Sequence, residues 1–400
     1  MINRRMTKHF KRLCVMLITV MVMLGLTGCW DRRELDALGI VLGVGLDKAQ
    51  TPGDIDMTVQ AVSFNQQQSS SASSEKSKSG GSNSSDYFNA TESGADVLSV
   101  LHKFTFSLDR RLYFAQNQVI IFSEDLAKEG IRNSLDFFVR SYEPRMDTYI
   151  FVVKGRAQDV LDTEPYFDKL PASEIAALIK DPIGSINKPV VTTFDLIQGF
   201  LSKTTSLVIP LLEVKEQSDR KQFELVGCAV FKGDQEVGTL DANETKGYQL
   251  VKSKITYSGQ EVMVNGELAE IIITSSKGKI TPVIKDDGSI MIKIEIMVKG
   301  ALDSQKGITN FAEPQNAKLL QEETERTIKQ IVEDALAKGR ALNADIFGFG
   351  EALNRKYPKQ WKTLEPQWKK ILKNIEVETL VSVNIGGTGK ITKPLIPAEE

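Results

Sequence analysis

Apolar and polar positions alternate along this chain in three regimes. Near the start lies one unbroken apolar run, Leu13 to Leu26. Over roughly 30–200, short apolar segments interleave with helical spacings. Ile40 to Asp47 is a continuous apolar run and predicts a buried strand. Ile55, Met57, Val59 and Ala61 alternate with polar residues, which predicts a partner strand across the Pro52-Gly53-Asp54 turn. Thr91 to Gly94 opens a predicted helix through Phe104, with Val97, Leu98, Leu101 and Phe104 on one face. Strands at Gln118–Phe122 and Thr148–Val153 then alternate with helices near 124–129, 131–140, Ala157–Leu161, Pro171–Lys180 and Thr192–Leu201. Such interleaving predicts a mixed α/β domain over 29–201.

Ser206 to Leu212 and Phe223 to Phe231 predict strands of a small middle domain over 202–257. Pro210 suggests that the first of these lies at a sheet edge. The third regime is longer in period. Glu261–Ile273, Gly278–Ile284 and Ser289–Val298 predict three strands, with a hairpin at Asp286-Asp287-Gly288. A helix of about 315–341 follows, with Leu320, Thr324, Ile328, Ile331, Ala335 and Leu336 as its buried stripe. Asp345 caps a helix from Ile346 to Arg355, Glu365-Pro366 opens another, and Val377–Ile385 is the closing strand. The fold class is therefore α+β, a mixed α/β multi-domain chain of about three domains, the last over 258–390. Residues 66–86 are rich in serine and glutamine and cannot bury enough apolar surface to offset chain entropy. They predict a mobile loop inside the first domain.

Charge changes the reading of the first apolar run. Five basic residues precede it and no acid stands before Asp31. The run is short for a membrane span, and it ends in Leu26-Thr27-Gly28-Cys29. A basic start, a short apolar core and small residues make an export signal over 1–28. The cysteine directly after the small pair resembles the bacterial lipobox, which implies a diacylglyceryl group on Cys29 and cleavage before it. An ordinary signal followed by a disulfide cysteine, or an N-terminal anchor helix, is the competing reading. Removing five basic and no acidic residues takes the net charge from −2 to −7. An acidic body does not favour nucleic acid as a partner. With 41% hydrophobic residues the chain can bury real cores.

Candidate chemistry adds little. Beyond Cys29 the last cysteine is Cys228, inside an apolar strand-like run, where a buried inert thiol is expected. His102 stands beside a helix face without companions. The Ser-x-x-Lys pairs lack the further motifs of a serine acyl-enzyme site, and there is no Gly-x-Ser-x-Gly elbow or phosphate loop. Gly386-Gly387-Thr388-Gly389-Lys390 has no helix after it to form a phosphate cradle. No metal, cofactor or catalytic residue is expected, and a binding or coupling protein is favoured over an enzyme. The alternative is a lipid-anchored solute-binding protein or surface hydrolase.

Two stretches carry a resemblance. Gly28-Cys29-Trp30-Asp31-Arg32-Arg33-Glu34-Leu35 with Ile40 to Lys48, and Asp345-Ile346-Phe347-Gly348-Phe349-Gly350-Glu351 to Pro358 with Trp361 and Trp368, resemble the spore germination C-subunit lipoproteins, the Ger(x)C family. Arg110 to Ile131 is similar too. The resemblance implies a non-enzymatic, lipid-anchored receptor subunit on the extracytoplasmic face of the inner spore membrane. It implies A and B subunits of a germinant receptor as partners. Phe347, Phe349, Tyr357 and Trp361 are then candidate partner-docking residues. The competing reading of the same residues is core packing against the 315–341 helix.

Overall fold

A computed structural model of the protein describes residues 12–19, 37–63, 86–180, 188–217, 220–253, 255 and 257–387. Cys29 and most of the serine-rich tract, with the expectations attached to them, lie outside these. Helix α1 covers 12–19. No described helix is long and apolar enough to cross a membrane.

The first sheet is built around β1 (Leu38–Lys48), β5 (Val119–Ser123), β6 (Tyr149–Lys154) and β7 (Leu207–Gln217), which run parallel to one another. Their continuous apolar sequences suit strands covered on both faces. Ile120, Phe122, Ile150 and Val152 point to one face. There they meet α2 (Val97–Ser107), α3 (Glu124–Glu129), α4 (Arg132–Arg140) and α7 (Thr193–Leu201). Val119, Ile121, Phe151 and Val153 point to the other, against α5 (Ala157–Leu161) and α6 (Pro171–Lys180). Antiparallel strands extend both sides: β2 (Ile55–Val62) and β3 (Tyr87–Gly94) beside β1, and β8 (Arg220–Lys232) and β9 (Gln235–Leu240) beside β7. The short β4 (Arg111–Tyr113) pairs with the start of β1.

Several expectations change here. Thr91–Gly94 does not open a helix but completes β3. Its polar side chains are used across the sheet, with Thr91 and Thr58 hydroxyls 2.8 Å apart and Gln60 donating to Asn89 at 3.0 Å. The helix starts after Asp96, whose carboxylate accepts from Ser99 N–H in a capping box. Its buried residues are Val97, Val100 and Phe104, and Leu98 turns outward. Strands β7 to β9 hydrogen-bond onto the first sheet, so the segment 202–257 has no sheet of its own. Pro210 is compatible with an interior strand because β6 pairs only with Leu211–Glu213, beyond the proline.

The second sheet is β10 (Ser258–Val264), β11 (Glu267–Ile284), β12 (Ile290–Lys306) and β13 (Glu376–Ile385), in that order. One long strand replaces the two expected around residue 275. Gly278 does not break it. A Cβ there would stand 2.0 Å from the Val251 carbonyl oxygen, so the glycine admits the end of α8 (Ala242–Val251). The real break is Asn265-Gly266, both at positive φ, as a two-residue hairpin requires. Ile292, Ile294 and Ile296 are buried under α9 (Pro314–Ala341), whose predicted stripe is buried in full. Each such side chain contributes roughly 1.5–3 kcal/mol by leaving water. Three short helices close the chain before β13: α10 (Phe349–Lys356), α11 (Pro358–Leu364) and α12 (Trp368–Asn374). Glu365-Pro366 opens as expected, into a 3-10 turn over Glu365–Gln367 that runs on into α12, and Pro358 opens α11 in the same way.

Candidate functional site

The segment Asp345 to Trp368 lies where the two halves of the molecule meet. Asp345 is 2% exposed, yet its carboxylate is fully engaged. Oδ1 accepts from the N–H of Gly348 at 2.9 Å and Phe349 at 2.8 Å. Oδ2 accepts from Gly350 N–H at 2.8 Å and from the indole N–H of Trp368 at 3.2 Å. Burial pushes this carboxyl above its usual range, and the four donors pull against that. All four neighbours donate, so the ionised form satisfies them together. Three of the donors are the amides at the start of α10, those of its N-cap Gly348 and of Phe349 and Gly350, which a helix leaves without internal partners.

Glycines make this geometry possible. Gly348 has φ +77°, the left-handed region, directly before the helix. A Cβ at Gly350 would lie 2.9 Å from both Thr204 Cβ and the Trp368 ring. Around the carboxylate the aromatic rings pack in pairs. Phe347 and Phe349 stack at 5.5 Å, and Trp361 meets Trp368 edge-on at 5.3 Å. Tyr248 from α8 lies 5.9 Å from Phe347, and burial raises its phenol pKa.

The other half reaches in from the loop before β7. Ser206 N–H donates to the Asp345 carbonyl at 2.9 Å, and Thr205 forms a parallel bridge with Asp345. Toward solvent, Thr205 Oγ1 donates to Glu351 at 3.4 Å, and Lys203 pairs with Glu365 at 3.1 Å. A cleft of about 790 Å³ opens above this contact, between α7 with its following loop and the α10–α11 corner. Asp195, Lys203, Glu351 and Glu365 are among its walls. Asp195 is held by Thr192 as the cap of α7, and the other three are paired as described. The arrangement locks two sheets in register.

The candidate docking residues are placed as follows. Phe347 and Phe349 are each 3% exposed and Trp361 5%, all within the second core, and Tyr357 is half-buried beside it. These side chains are packing, so they do not form an open docking face; apolar spacing on a short helix marks its buried side equally well. Lys356 is also tied inward, donating to the Pro282 carbonyl at 2.9 Å. Sequence reading named Asp345 as a cap and the two tryptophans. It missed Thr205, Ser206 and Tyr248, because nothing in their local pattern points to a partner some hundred residues away.

Elsewhere the chemistry stays quiet. Cys228 is fully buried and desolvation pushes its thiol up to about 12, which removes its nucleophilicity at neutral pH. Among the described residues, no group of three or more His, Cys, Asp or Glu is placed to hold a metal ion.

Comparison with known proteins gives a consistent picture. Residues 31–214 match the family described as spore germination protein N-terminal domain, and 226–389 match spore germination B3/GerAC like, C-terminal. Spore germination protein KC of Bacillus subtilis (strain 168) is 23% identical over 95% of this chain and 96% of its own. Spore germination protein YndF of the same organism is 24% identical over 96% and 99%. The crystal structure of the GerBC protein superposes with TM-score 0.54 at 16% identity, covering 86% of this chain and 97% of that one. At that identity the likeness is one of fold.

Proposed function

The chain belongs to the Ger(x)C family of spore germination proteins, and on that premise we propose that it is the lipid-anchored C subunit of a nutrient germinant receptor. In this reading Cys29 carries the lipid, the body stands on the extracytoplasmic face of the inner spore membrane, and it acts through contacts with A and B subunits. It couples rather than catalyses. The observation that carries the reading is the order of parts. Leu26-Thr27-Gly28-Cys29 is followed within two residues by a match to one family domain, then by the second, reaching residue 389. Two acyl chains hold a protein at a bilayer where one is marginal. Tethering then raises the effective concentration of membrane partners without a strong interface.

The test is Cys29→Ala in the spore-forming host, with membrane fractionation and germination followed together. The expected result is loss of the protein from the membrane fraction, or retention of its leader, with slowed nutrient germination. Full membrane retention with normal germination would overturn the reading. Deletion that leaves germination intact and abolishes solute uptake would instead favour a binding protein.

A further inference from the structure

Three large apolar side chains stand almost wholly in solvent: Phe106 at 91%, Tyr142 at 96% and Phe167 at 95% exposure. Among the described residues no other large apolar side chain exceeds 73%. The three come from different connections, yet the topology gathers them at one end of the first sheet. That end is where β1 begins, and where β5 and β6, parallel to it, also begin. β3 runs with β1, because each is antiparallel to β2. α2 leaves the far end of β3 and returns, which brings Phe106 in its last turn back to the start of β1. The chain then enters β4, where Arg111 pairs with Leu38 itself. α4 makes the same return after β5, and Tyr142 follows it just before β6. α5 returns on the opposite face after β6, and Phe167 lies in the loop beyond. Its neighbour Lys169 reaches Asp86, beside the start of β3, at 3.4 Å.

That end is also the one nearest the N-terminal tether. Cys29 lies nine residues before Leu38, so even a fully extended chain separates them by only about 30 Å. β1 has 11 residues and is itself roughly 36 Å long at ~3.3 Å per residue, which puts the Thr51-Pro52 turn well away from the tethered end. Aromatic and apolar side chains that project singly are stabilised at the headgroup level of a bilayer without forming one continuous patch. A cavity of about 340 Å³ opens beside Tyr142, but neither Phe106 nor Phe167 lines it. The three rings are therefore separate projections and not one groove shaped for a peptide. Separate aromatic projections beside an acyl tether suit the headgroup region of a bilayer.

We propose that the end of the first sheet where β1 begins rests on the lipid bilayer, with Phe106, Tyr142 and Phe167 reaching among the headgroups. This rests on Cys29 being the lipidated residue. The aromatics fix the orientation of the body, so that the cleft beside Asp345 and the second sheet are presented to membrane partners at a set angle.

The test uses the full lipidated chain with single new cysteines, Phe106→Cys, Tyr142→Cys, Phe167→Cys and, as far-end reference, Thr51→Cys. Each carries an environment-sensitive fluorophore; Cys228 is buried and stays unlabelled. The protein is reconstituted in vesicles of phosphatidylethanolamine and phosphatidylglycerol containing a nitroxide lipid. Flotation reports the anchor and quenching reports the orientation. The expected result is flotation of every variant, with roughly two-fold or stronger quenching at 106, 142 and 167 and little at 51. Flotation with all four labels quenched alike, or with none quenched, overturns the proposal. Labels shielded only when receptor membrane subunits are co-reconstituted overturn it too, and assign the surface to protein. Failure to float removes the Cys29 reading and this proposal with it, by a separate readout.

Discussion

Replacing Asp345 by alanine should loosen the junction between the two halves more than any change at its rim. The carboxylate satisfies three backbone N–H groups and the Trp368 indole, all buried. A buried donor left without a partner costs about 1–3 kcal/mol. Water admitted to the vacated space recovers part of this, so the loss should be about 3–5 kcal/mol and not the full sum. Asp345→Asn keeps one accepting oxygen and should fall between the parent and alanine. Glu351→Ala removes only a 3.4 Å contact from Thr205 near the surface and should cost about 0.5 kcal/mol or less. Denaturant unfolding followed by tryptophan fluorescence is suited to the site, because Trp361 and Trp368 are both buried there. Hydrogen exchange should accelerate at Gly348–Gly350 and at Ser206, whose N–H donates to the Asp345 carbonyl. An alanine variant that unfolds within about 1 kcal/mol of the parent, with unchanged exchange at these amides, would refute the argument.

Two further predictions test the packing and the electrostatics. Gly278→Ala should cost about 3 kcal/mol or more, since the new Cβ meets the Val251 carbonyl oxygen at 2.0 Å. Gly288→Ala, at φ +79° in open space, should cost only about 1 kcal/mol; paired unfolding curves decide, and equal losses would contradict the close approach. Glu236 is buried with neither carboxylate oxygen hydrogen-bonded, and desolvation with the nearby Glu124 charge lifts it to about 7, against the pull of Lys128. The folded chain thus keeps a proton that the unfolded chain has released by pH 7. Its stabilising contribution is full below the ordinary carboxylate range near 4.5 and lost as pH rises through about 7. The interval corresponds to about 3 kcal/mol at ~1.4 kcal/mol per tenfold change, which partial solvent access reduces to about 1–2 kcal/mol. Glu236→Gln should therefore be near neutral at pH 5 and stabilising at pH 8; an effect that does not change between the two would count against it.

Elements with a strong period were legible without the fold. The stripe on α9 and the alternation in β12 are local records of burial, because one face of each element is covered along most of its length. β3 was not legible. Tyr87–Gly94 is polar and sits at the sheet edge, so burial left little mark on it, and its strand character comes from cross-strand bonds to Thr58 and Gln60. Helix α5 makes the same point for caps. Its first amides are held by Asp47, which donors at Ala157 and Gln158 approach at 2.7 and 3.0 Å from 110 residues away. The Asp345 segment was half legible, since a capping acid and paired glycines announce a tight helix start, while the direction of its aromatic rings does not.

What the sequence determined alone was chemistry carried by neighbouring residues. Leu26-Thr27-Gly28-Cys29 after a basic and then apolar stretch, the α+β order of elements, and the two family stretches are all local strings. The tertiary structure decided what those strings meet. It joined β7, β8 and β9 to the first sheet, turned Phe347, Phe349 and Trp361 into core, and brought Thr205 and Ser206 to Asp345. It also drew Phe106, Tyr142 and Phe167 to one end, because parallel strands require each crossover to bring the chain back to the same end of the sheet. Spacing along a chain fixes which side chains share a face, and only the packing of faces fixes which of them is left for a membrane or a partner.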